Sequence, residues 1–167
     1  MYSYLQAYNI VREASGVGQG NGPMVSFHDG FQPLTDWAGF LVNADRIAMD
    51  THPYFAFSGQ STAPISSYAP QACTAWGPMM NTSMGAFGMT VAGEFSLATN
   101  DCGLFVNGVG LGTRYEGTFA GGPTTVTGNC SQWDNWEAWT DDTKNQLKEF
   151  ALSSMDALQN WFFWNWK

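Results

Sequence analysis

The chain has 167 residues, 44% of them hydrophobic, enough for one compact core. Fourteen acidic residues against six basic ones give a net charge of −8, which argues against electrostatic binding to nucleic acid or an anionic membrane and suits a neutral ligand. Aromatic residues make up 16% of the chain, with eight Trp, more than a core alone requires.

Tyr4, Leu5, Tyr8 and Val11 recur at helical spacing, and Gly16, Gly18, Gly20 and Gly22 end the pattern in a flexible turn. Met24 to Phe27 reads as a strand, running into His28-Asp29-Gly30, where polar side chains project from its tip. A helix is expected over Leu34 to Val42, with Trp37, Phe40 and Leu41 on its apolar side, and a strand over Arg46 to Asp50. Ser58 to Gly85, rich in Ser, Pro, Gly and Met, is a long connection holding a short helix around Tyr68 to Trp76.

Met89 to Ala92 has the size of a buried strand, Gly93 permits a tight exit, and Glu94 follows at the strand's end. Thr99 or Asn100 caps a short helix through Phe105, closed by Asn107-Gly108. Gly110 to Thr127 is a glycine-rich excursion without a period. The clearest helix follows a cap at Thr140 or Asp141 and carries Leu147, Phe150, Ala151, Met155 and Leu158 on one face. Trp161 to Trp166 is the final strand. Apolar strands alternating with helices predict an α/β fold with a parallel sheet.

Cys73, Cys102 and Cys130 are spaced too widely for a zinc ribbon and include no Cys-x-x-Cys pair, so neither metal nor other cofactor is expected. The sequons Asn81-Thr82-Ser83 and Asn129-Cys130-Ser131 join the cysteines in suggesting an oxidising, secretory setting. The odd cysteine count implies a partner outside the chain or one free thiol. No apolar run reaches the ~20 residues of a membrane span, and the first residues lack a signal pattern, so either a leader was removed or the true N-terminus is missing. Gly16-Val17-Gly18-Gln19-Gly20 follows a helix instead of opening one, which rules it out as a dinucleotide fingerprint.

Five stretches, in order, carry a resemblance: Val25 to Phe31; Asp50-Thr51-His52-Pro53-Tyr54; Val91 to Ser96 with Asp101-Cys102; Gly112 to Gly117; and Phe163 to Lys167. The chain resembles the fungal exo-β-1,3-glucanases (glucan 1,3-β-glucosidases) of glycoside hydrolase family 5. That resemblance implies a (β/α)8 barrel releasing glucose from non-reducing ends of β-1,3-glucan with retention of configuration. Such a barrel needs ~250 residues. Residues 1–167 therefore match the C-terminal half of a single catalytic domain, strands five to eight, and the missing N-terminal half is an expected partner beside the β-1,3-glucan or oligosaccharide substrate.

By the same resemblance Glu94 is the nucleophile at the tip of strand seven. The Asn-Glu-Pro motif that carries the acid/base carboxylate is absent, and Asp29, Asp50, Glu116 and Glu137 do not match its position, so that residue lies outside the chain. His52 and Tyr54 match residues beside the nucleophile, Tyr54 as a hydrogen-bond donor that holds Glu94 ionised and aimed. Phe57 matches an aromatic at the entrance for the next glucose. Trp164 matches the stacking platform under the terminal sugar; Trp166 is second choice there and better read as core packing. His28 fits a strand tip without an assigned step, and Trp133, Trp136 and Trp139 read as packing or distal surface. The resemblance implies a secreted or cell-wall location. The alternative function is that of a non-catalytic half-barrel acting as a structural, assembly or carbohydrate-binding piece.

Overall fold

The structure, a computed structural model, describes residues 1–57 and 59–165. Helix α1 (Tyr2–Ser15) ends where Gly16 takes φ 79° and its N–H bonds the Arg12 carbonyl, a positive φ that glycine adopts without strain. The polar ends of its side chains hold it to the sheet. Tyr4 donates to the His28 carbonyl at 2.9 Å, and the buried Arg12 donates to the carbonyls of Pro23, Asp45 and Arg46.

Strands β1 (Val25–His28), β2 (Ile47–Thr51), β3 (Thr90–Phe95) and β4 (Trp161–Phe163) form one sheet in sequence order, every neighbouring pair parallel. Parallel neighbours need crossovers. Helix α2 (Tyr68–Ala86) makes the one from β2 to β3, and the one from β3 to β4 runs through α3 (Ser131–Asp134) and α4 (Asp141–Leu158). Both long helices bury Trp76, Met80, Phe150 and Leu158 against Met49, Ala92 and Phe95 of the sheet. Burying each such side chain contributes roughly 1.5–3 kcal/mol, so this layer is the fold's main apolar support.

Several elements differ from expectation. The helix expected over Leu34–Val42 is only a 3₁₀ turn, Leu34–Trp37, because positive φ at Gly39, Leu41 and Asn43 breaks the chain beyond it. Trp37 is nonetheless buried. The short helix around Tyr68–Trp76 instead runs to Ala86, through Pro78; Ala72, Trp76, Met80 and Ser83 keep a buried face of period three to four across the proline. No helix forms over 100–105. There the buried Asp101 carboxylate accepts the backbone N–H groups of Arg114 (2.7 Å) and Tyr115 (3.0 Å) and the Asn107 amide (2.8 Å), and the segment turns to meet them. The final strand is Trp161–Phe163; Trp166 lies outside the described residues.

Thr140 caps α4, its hydroxyl accepting from the Thr143 N–H. Cys102 and Cys130 form a disulfide, and Cys73 carries an exposed thiol, which accounts for the odd count. Among the described residues no group of His, Cys, Asp and Glu is arranged to hold a metal ion, and no helix is long and apolar enough to cross a membrane.

Candidate active site

Strand β3 does not stop at Gly93. It continues through Glu94 to Phe95, and the register against β4 slips between Ala92 and Phe95. Ala92 and Phe95 are three apart yet both sit in the helix-side core, so the two residues between them share the opposite face. That irregularity turns Glu94 away from the helices. At Gly93 a Cβ would meet the Asp50 carboxylate on the neighbouring strand, so a larger residue there must push that side chain aside.

On that face, at the C-terminal ends of the strands, polar side chains converge. Tyr54 donates its hydroxyl to Glu94 Oε2 at 2.6 Å. His52 lies between two carboxylates, Nδ1 at 3.8 Å from Glu94 Oε2 and Nε2 at 3.4 Å from Asp50 Oδ2. His28 stacks edge-on to His52, ring centroids 4.6 Å apart. Its Nδ1 accepts the Gly30 N–H at 2.9 Å and lies 3.7 Å from Asp29 Oδ1. Burial first, then the hydrogen bond to Glu94 and its negative charge, push the Tyr54 phenol above its ordinary value, so the ring stays a donor.

An open cleft of about 920 Å³ lies over this cluster. His52, Tyr54, Phe57, Glu94 and Trp164 all line it, with Phe57 and Trp164 more than half exposed. Trp166 is outside the described residues. The sequence reading passed over Phe31, which is 77% exposed at the rim, and over Asn100, Gly103 and Val106 on the loop opposite. Phe31 closes the Val25–Phe31 stretch just beyond the tip of β1, and that position was the available signal. For the loop residues no signal existed, because the Cys102–Cys130 disulfide and the Asp101 bonds that bring them to the cleft join residues far apart in sequence.

Two of the other acids, Asp29 and Glu116, have structural partners. Asp29 is buried and accepts from the Thr51 hydroxyl at 2.6 Å and the Phe31 N–H at 2.8 Å, and Glu116 accepts the Cys130 N–H at 2.8 Å. Asp50 is different: its Oδ1 is buried without a hydrogen-bond partner among the described residues. The cleft thus offers one half-buried carboxylate, Glu94, held at one oxygen by a neutral phenol and flanked by exposed aromatic faces.

No family model matches the chain. It is 35% identical over 178 residues to a probable glucan 1,3-beta-glucosidase D of Aspergillus flavus, covering 95% of this chain and 21% of that protein. Against the protein of the same name from Aspergillus clavatus it is 33% identical over 180 residues, again 95% and 21%. A glucan 1,3-beta-glucosidase of Schwanniomyces occidentalis is 31% identical over 170 residues, covering 98% of this chain and 37% of that one. The chain spans between a fifth and two fifths of the length of these curated relatives. It is a homologue of the glucan 1,3-beta-glucosidases and corresponds to part of such a protein.

Proposed function

We propose that this chain is the second half, strands five to eight, of a (β/α)8 glycoside hydrolase that releases glucose from β-1,3-glucan, and that Glu94 is its nucleophile. The observation that carries the reading is the 2.6 Å bond from Tyr54 to Glu94 Oε2, at the C-terminal end of a parallel strand, inside a cleft flanked by Phe57 and Trp164. β1 and β4 lack an outer strand neighbour among the described residues, and Phe162 on β4 is 67% exposed, as expected of a barrel sector. The four-strand parallel sheet and the greater length of the relatives fit the same reading.

In a retaining glycosidase two carboxyl groups stand ~5 Å apart across the scissile bond. Glu94 attacks the anomeric carbon while an acid/base carboxyl, supplied by the rest of the barrel outside this chain, protonates the departing oxygen. Water then cleaves the glycosyl ester as the same group takes its proton. Tyr54 keeps Oε2 occupied and aims the other oxygen at the sugar. His52 borders the nucleophile between Asp50 and Glu94. Trp164 supplies a flat face for the terminal glucose and Phe57 the entrance for the next; Trp166 remains second choice for that stacking. The disulfide and the two sequons suit a secreted or cell-wall protein.

The test is Glu94→Gln in the complete protein, which keeps side-chain volume but cannot attack carbon. Fold and sugar binding should persist while kcat falls below about a hundredth of wild type. A second reading, a non-catalytic carbohydrate-binding or assembly piece, draws on the same open edges. Glucose release by the chain alone and with the rest of the barrel added separates the two: release only from the mixture supports the enzyme, and none from either supports the binding piece.

A further inference from the structure

Beside the cleft lies a second hollow of about 280 Å³ that neither the sequence motifs nor the catalytic reading uses. The two adjoin through Ala98, Asn100 and Gly103, which line both. Trp133 and Trp139 wall the far side, half-buried, their rings edge to face with centroids 6.4 Å apart. Asp134, exposed at the same wall, makes no side-chain hydrogen bond among the described residues. The buried Nε1 of Trp133 likewise has no partner there.

We propose that this hollow is a distal subsite for sugar units of the same glucan chain, beyond the glucose at Glu94. The proposal rests on the catalytic reading for the identity of the ligand, but its support is local. The wall combines the aromatic rings of Trp133 and Trp139 with the exposed Asp134 carboxylate, an acceptor to which sugar hydroxyls can donate. A net charge of −8 and a carboxylate at the wall argue against an anionic occupant. Continuity with the cleft makes a longer piece of the substrate the fitting occupant. The wall is also built to keep its shape. The adjoining loop is closed by the Cys102–Cys130 disulfide, against which Trp133 packs, and Trp139 donates its Nε1–H to the Gln132 carbonyl at 2.7 Å.

The experiment uses the complete protein and sulfur-linked laminaribiose and laminaripentaose, which bind without being hydrolysed, titrated calorimetrically. The unaltered protein should bind the pentaose more tightly than the biose. Trp139→Ala should weaken pentaose binding about 3- to 10-fold, the worth of one aromatic contact, and leave biose binding unchanged. Asp134→Ala should weaken pentaose binding about twofold or more. Because Asp134 is exposed, that variant decides the matter if Trp139→Ala fails to fold. Equal affinity for both lengths, or variants that lose both equally or neither, overturns the subsite. Hydrolysis of ordinary laminaribiose is followed in parallel. Its absence would reject the catalytic reading while the length dependence still judges the hollow.

Discussion

The Cys102–Cys130 disulfide closes a loop of sequence separation 28 that forms the wall between the two hollows. Replacing both cysteines by serine releases that constraint from the unfolded chain. In the chain-entropy treatment, a loop of this length corresponds to ~12 cal/mol/K, or ~3.6 kcal/mol at 25 °C. The folded side changes less, because the Asp101 carboxylate still accepts the Arg114 and Tyr115 N–H groups and the Asn107 amide. Urea unfolding of the complete protein, followed by tryptophan fluorescence, should show the midpoint falling and the slope rising, because the unfolded chain without the bond is more expanded and exposes more surface. A loss under ~1 kcal/mol would refute the reasoning, since the loop would then be held by its hydrogen bonds alone. A similar loss under reductant in the unaltered protein would tie the effect to the bond itself.

Tyr54→Phe removes the donor to Glu94 and should lower kcat/KM about 10- to 100-fold at neutral pH, the range for a hydrogen bond to a charged group; an unchanged value would leave Tyr54 as packing. Because the Tyr54 phenol is raised, its contribution is complete below the ordinary tyrosine value of ~10 and is lost only as pH climbs past the raised one; burial raises Tyr68 as well, so alkaline difference absorbance should show a late-ionising group of tyrosines that is smaller by one in the variant. Asp101 is pushed up by burial but brought below the usual carboxylate value by the hydrogen bonds of Arg114, Asn107 and Tyr115, with the Arg114 charge adding to them. Its contribution is present above ~4 and fades as pH falls through the lowered value. Asp101→Ala, which strands three donors, should cost about 3 kcal/mol or more in urea unfolding at pH 7. Gly93→Ala forces the Asp50 carboxylate aside and should disturb His52, read as a shifted His52 ring resonance in NMR; an unshifted resonance would mean that the Asp50 contact carries no positional information.

Four parallel strands were legible because each is a short apolar run fenced by turn residues, and a cap at Thr140 or Asp141 followed from local chemistry, the structure taking Thr140. Residues whose placement depends on packing were not. The fate of Leu34–Val42 hung on left-handed backbone at Gly39, Leu41 and Asn43; Gly and Asn take it readily without being bound to it, and Leu has no preference for it at all. The short helix expected around Tyr68 to Trp76 runs on through Pro78 because the packing of α2 on α4 holds the chain helical beyond it. The stretch around Glu94 was readable as a strand end, whereas the slip that turns Glu94 into the cleft emerges only from the pairing with β4. Asp50, Phe31 and Asn100 enter the site through contacts across strands and loops, which periodicity does not encode.

The central claim is that Glu94 attacks the sugar. An activated 2-fluoro-β-glucoside forms a glycosyl ester that hydrolyses slowly, because the fluorine destabilises the oxocarbenium-like transition state of the second step. Incubating the complete protein with this reagent, digesting it and sequencing the labelled peptide by mass spectrometry should place one glycosyl group on Glu94. A label on any other carboxylate, or an active enzyme that takes up no label, would contradict the account.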